Sequence, residues 1–175
     1  MLVDYIRTLY AYSTWANERV FEAAGALTPE QFVAPGAASL DSVRATLVHL
    51  VSAQRTWLAR ARRVTPPAEL QAAAFLDCRP LHQRWQEIEQ QTQALLVTLD
   101  TAALGGIVHY VNAEGQPNAY PLWQILFHQA IHAAQHRSEA AMLLTQLGAS
   151  PGWLDFLYYL DLTGQTPAAE RKHNT

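Results

Sequence analysis

Residues 121–147 read PLWQILFHQAIHAAQHRSEAAMLLTQL, one long helix whose inner stripe changes character half-way along. Pro121 suits the first turn, and Gly148 follows the last apolar residue, Leu147. Between these ends Ile125, Gln129, His132, His136, Ala140, Leu143 and Leu147 recur at helical spacing. The lower half of the stripe is ordinary core. The upper half puts an amide and two imidazoles where apolar side chains are expected, and buried polar groups need partners. His132 and His136 stand at i and i+4, about 40° apart around a helix and about 6 Å along it, so both rings can converge on one ion. This is not the HExxH of metalloproteases, because Ala133 stands where the general base would be. His128 extends the run upstream, and spacing alone leaves both His128/His132 and His132/His136 open as the chelating pair.

Three more segments carry helical periodicity. Residues 2–24 set Leu2, Ile6, Leu9, Ala16 and Val20 on one stripe. Residues 40–63 follow Ser39, a candidate N-cap, with Val43, Leu47, Leu50 and Trp57 inward. They end in Arg60, Arg62 and Arg63, cations that suit a solvated helix C-terminus. The third segment follows Pro80, with Leu81, Trp85, Ile88, Thr92, Leu95 and Leu99 in phase. Residues 25–40 hold Pro29, Pro35 and two glycines and read as a connection. Residues 107–111 read as extended, turning near Glu114 and Gly115, and residues 153–160 as a short final helix. The expected fold is all-α: a four-helix bundle with a short hairpin or ordered loop before the last long helix and a short C-terminal helix. It forms one domain over residues 1–162, followed by a polar tail, 163–175.

Composition narrows the chemistry. A 175-residue chain that is 50% hydrophobic can bury a substantial core, and a net charge of −3 argues against nucleic acid as partner. Cys78 is the sole cysteine, which excludes an intrachain disulfide and a Cys-rich zinc site. The sole lysine, Lys172, sits in the polar tail, a poor place for Schiff-base chemistry. No segment has the apolar run of about 20 residues that spans a membrane, so the expected location is the cytoplasm. Histidine, with seven copies, is the remaining source of a reactive centre. A third ligand must come from another element, and His49 is the candidate. Ala45, Thr46, Ala53 and Thr56 on its face leave room around an imidazole. His82 and His109 have no spaced partner, and His173 lies in the tail.

Several motifs fall in a recognisable order. Residues 12–17 read YSTWAN; Ser39-Leu40-Asp41-Ser42 leads to His49; residues 56–60 read TWLAR. Asn112 to Gly115 and then Pro121-Leu122 lead into residues 128–137, HQAIHAAQHR, and residues 155–160 read DFLYYL. Together they resemble the DinB/YfiT-like metal-dependent bundle proteins, over nearly the whole chain. This resemblance implies that His49, His132 and His136 are the metal ligands, with His128 a supporting residue. Two departures from the family pattern stand out: Ser138-Glu139 replaces the usual Gly-Gln, and Gln54 stands where an acidic residue is common. Glu139, one turn below His136, is thereby placed to orient a ligand or act as a base.

Three imidazoles leave a coordination position for water or substrate, as catalytic sites do. Such ligands suit Zn2+, the first expectation, and Ni2+, the second. The resemblance implies a metal-activated thiolate, hence a thiol-dependent S-transferase or a hydrolase acting on a small molecule, with a low-molecular-weight thiol as partner. Trp15, Trp57 and Trp123 are candidates to line the mouth of the site. The alternative is a non-catalytic helical-bundle homodimer whose metal is structural or adventitious. Because ligand imidazoles must be unprotonated, metal affinity is expected to fall below about pH 6.

Overall fold

Side-chain caps set the starts of several of the helices. Ser42, not Ser39, caps α3 (Val43–Ala61): its side chain accepts from Ala45 N at 3.1 Å, three residues later than the sequence suggests. Asp77 caps α4 (Cys78–Thr98), and Asp155 takes the amides of Leu157 and Tyr158 to start α7 at Phe156 (Phe156–Leu162). The computed structural model describes residues 1–165. The expected polar tail from residue 166 onward, with Lys172 and His173, lies outside the described residues.

The chain is mostly helical. Besides α3, α4 and α7 it forms α1 (Leu2–Gly25), α2 (Pro29–Val33), α5 (Thr101–Gly105) and α6 (Leu122–Gln146). A 3-10 turn spans Ala72–Ala74. The connection read over residues 25–40 contains α2, set by a capping box in which Thr28 and Gln31 exchange hydrogen bonds around Pro29. α2 buries Phe32 in the core. The four long helices pack in a ring, α1 on α6, α6 on α3, α3 on α4 and α4 on α1. Among the described residues, no helix is long and apolar enough to cross a membrane.

The extended stretch is a two-stranded antiparallel hairpin, β1 (Ile107–Val111) and β2 (Pro117–Pro121), pairing Val108 with Tyr120 and Tyr110 with Asn118. Asn112 Oδ1 accepts from the amides of Glu114 and Gln116, and Gly115 takes φ of +78°, closing the turn. Val108 is fully buried and pins the hairpin to the helices.

The apolar core divides into two clusters. One gathers Val20, Phe21, Leu47, Leu81, Trp85 and Leu144; the other gathers Ile6, Tyr10, Leu96, Leu104, Val108 and Leu126. Polar residues occupy the interval between them: Ser13 and Asn17 on α1, Glu89 and Thr92 on α4, and His136 and Arg137 on α6, all buried. The functional candidates belong to this layer.

Candidate metal centre

The i,i+4 spacing on α6 stacks His132 and His136 one turn apart, with ring centroids 4.5 Å from each other. His49 arrives from α3, the helix packed on α6, with ring centroids 4.5 Å from His136 and 5.2 Å from His132. One nitrogen from each ring lies within 4.8 Å of the other two. His136 is buried; His49 and His132 are half-buried. All three residues expected as ligands are therefore brought together.

Their chemistry fits a divalent ion. Nitrogen ligands about 2.0–2.1 Å from a tetrahedral zinc lie about 3.3 Å apart. His49 Nε2 and His132 Nε2 are 3.4 Å apart. Among the described residues neither nitrogen has another protein partner. Burial lowers the His132 pKa to about 4, assisted by its neighbours His136, His49 and His128. Burial and then His136 also push His49 down. These two rings accordingly present free lone pairs at neutral pH, and proton competition at them begins below the pH of about 6 expected from ordinary imidazoles.

The third ring is oriented by a carboxylate. Glu139 Oε2 lies 2.9 Å from His136 Nδ1, and Ser39 Oγ is 2.9 Å from both carboxylate oxygens. Burial by itself would raise the Glu139 pKa; hydrogen bonds from His136 and Ser39 outweigh it, and the net shift is downward. An ionised carboxylate can only accept, so His136 donates its Nδ1–H and turns Nε2 toward the other two rings. Ser39, read from sequence as a helix cap, is instead part of this support.

The remaining motif residues hold the frame. Arg137, 2% exposed, donates to Asn17 Oδ1 at 3.0 Å and Ser13 Oγ at 3.2 Å, and sits 5.1 Å from the Tyr12 ring centre. It locks α6 to α1 immediately after His136. Tyr12 and Trp15 pack on Tyr159 of α7, and Tyr12 also on Phe156, so the YSTWAN and DFLYYL motifs meet in one aromatic cluster. Gln54 faces α4, away from the histidines, donating to Glu89 Oε2 at 2.7 Å and accepting from Trp85 Nε1 at 3.1 Å.

Of the three tryptophans considered for the mouth, only Trp57 meets the histidine run. Its ring centre is 4.4 Å from that of exposed His128, which lies 5.9 Å from His132. Trp15 belongs to the α7 cluster, and Trp123 packs on Phe127. His82 stacks on Phe21 and Trp85 and pairs with Glu18, while His109 is exposed on β1, so neither approaches the centre.

A mostly helical protein that gathers three imidazoles between two of its long helices is compatible with a metal-binding protein. The family model described as "DinB family" matches residues 1–172, and the chain belongs to that family. No curated protein sequence matches it.

Proposed function

We propose that this chain is a single-domain four-helix-bundle metalloenzyme of the DinB family that binds one divalent ion, Zn2+ before Ni2+, through His49, His132 and His136. The observation that carries the proposal is the convergence of one nitrogen from each ring to within 4.8 Å. A divalent ion held there supplies Lewis acidity, lowering the pKa of a coordinated water or thiol toward neutrality.

The chain's own residues do the rest. Glu139, fixed by Ser39, keeps the His136 proton on Nδ1 and its lone pair inward. Burial keeps His132 and His49 unprotonated, so the donor set is ready without prior proton release. Arg137 and its α1 partners fix the register of α6 on the frame. Cys78, the sole thiol, is buried with its pKa pushed up to about 12 by burial, and hydrogen-bonds toward Phe21 O rather than the centre. With Cys78 out of reach, the nucleophile in this reading is water or a substrate thiol. The assignment to thiol-dependent S-transfer or hydrolysis on a small molecule is what the resemblance to the DinB/YfiT-like proteins implies.

Metal analysis of tag-free protein tests this directly. About one equivalent of metal is expected, lost in His132→Ala and in His49→Ala. Metal far below one equivalent, unchanged by either substitution, would overturn the assignment. Stoichiometric metal that admits no exchangeable water or thiol would make the centre structural and sink the enzymatic half of the proposal.

A further inference from the structure

One turn up α6 from His132, a cavity of about 530 Å³ opens between the end of α3, the hairpin and α6. Trp57, Arg60, Tyr110, Tyr120, Gln124 and His128 line it. Sequence alone made Arg60 part of a solvated helix end. Instead its guanidinium carbon lies 4.3 Å from the Trp57 ring centre and 4.1 Å from that of Tyr110. Two rings thus hold a cation against the cavity wall.

Arg60 has no counter-charge among the described residues. Among the described residues it makes no hydrogen bond or ion pair, and its Nε is buried without a partner. No Asp or Glu lines the cavity or the adjoining one of about 430 Å³, where Arg60 and Arg63 both appear. Arg62, its near neighbour, satisfies its guanidinium on Gln91. A planar fork of donors held on aromatic rings, beside a cavity of small-molecule size, suits an oxyanion.

We propose that this cavity is the substrate's recognition subsite, in which Arg60 binds a terminal oxyanion, carboxylate or phosphate, of a small organic molecule whose planar or apolar body lies against Trp57 and Tyr120. The proposal rests on the metal-centre assignment above for its link to chemistry. His128, between Trp57 and His132, marks the way from the subsite to the three-histidine site. The molecule is thereby held by its charged end while its other end extends toward His132.

Titration calorimetry on the chelator-treated full chain tests this without relying on activity or on a metal that could itself bind the probe. Benzoate and phenyl phosphate are the charged probes, and benzamide is the uncharged control. Saturable binding of at least one charged probe is expected, with benzamide and Arg60→Gln each weaker by about tenfold or more. The better charged probe identifies the oxyanion. Arg60→Lys is expected to fall between wild type and Arg60→Gln, because an ammonium keeps the charge and loses the fork. Equal binding of benzamide, binding undiminished in folded Arg60→Gln, or no binding of either charged probe at millimolar concentration would overturn the subsite. His132→Ala separates the two assignments. It should abolish metal loading and leave probe binding within about twofold, so either assignment can fail while the other stands.

Discussion

Two polar side chains of α3, Gln54 and His49, face neighbouring helices and end in opposite conditions. Gln54 faces α4 and is saturated: its amide donates to Glu89 and Thr92 and accepts from Trp85, while Thr14 Oγ1 and Gln93 Nε2 each lie 2.6 Å from Glu89 Oε1. His49 faces α6, and its Nε2 meets only the Nε2 of another imidazole. A satisfied network rigidifies a core, whereas nitrogens that converge on one point without a protein partner are arranged for something else. The first is architecture. The second is a site kept open at the expense of local satisfaction.

That difference should separate stability from metal binding. Glu89→Ala removes the carboxylate that accepts from Gln54, Thr14 and Gln93 and is expected to cost about 3 kcal/mol in urea denaturation, while the folded fraction keeps its metal. His132→Ala should do the reverse, removing the metal while changing metal-free stability by less than about 1 kcal/mol. If Glu89→Ala emptied the centre, or His132→Ala unfolded the metal-free chain, the two regions would not be distinct.

Glu139 lies between these extremes, since it satisfies a histidine and serves the open site. Glu139→Gln keeps the shape and removes the charge, and competition with a chelating dye should show metal affinity about 10- to 100-fold weaker. An unchanged affinity would reduce Glu139 to a boundary residue.

The pH response sharpens the contrast further. Unfolded His132 takes a proton near its ordinary value of 6.5, whereas the folded residue resists until about 4. Between those values the unfolded state holds more protons, so stability rises with pH and is lost as pH falls from about 6.5 toward about 4. Melting temperatures of metal-free protein across this range should show that loss, and His132→Ala should flatten it. The smallest effect belongs to His128→Ala, expected to leave metal content within about twofold, because its ring faces Trp57 rather than the three converging nitrogens. A large loss of metal there would restore His128/His132 as the chelating pair.

How much was legible follows from what leaves a periodic trace. The long helices and the hairpin were, because apolar spacing and Gly115 encode them locally. His132 and His136 stood out as polar breaks in an apolar stripe, and the choice over His128 came from family resemblance alone. Ser39 misled, since a serine before a helix reads as a cap, and only the fold reveals that Ser42 caps while Ser39 reaches Glu139 across the helix packing. Arg60 was hidden for a similar reason. A cation at a helix end is ordinary until Tyr110, fifty residues on, is folded against it. α2 was missed although the Thr28 and Gln31 capping box was written locally, because two prolines suggested a connection.

X-ray absorption at the zinc edge of zinc-loaded protein tests the central claim most directly. The account predicts three imidazole nitrogens and one further light-atom ligand, with one imidazole fewer or no bound zinc in His132→Ala. A first shell with at most one imidazole, or a spectrum unaltered by that substitution, would contradict it.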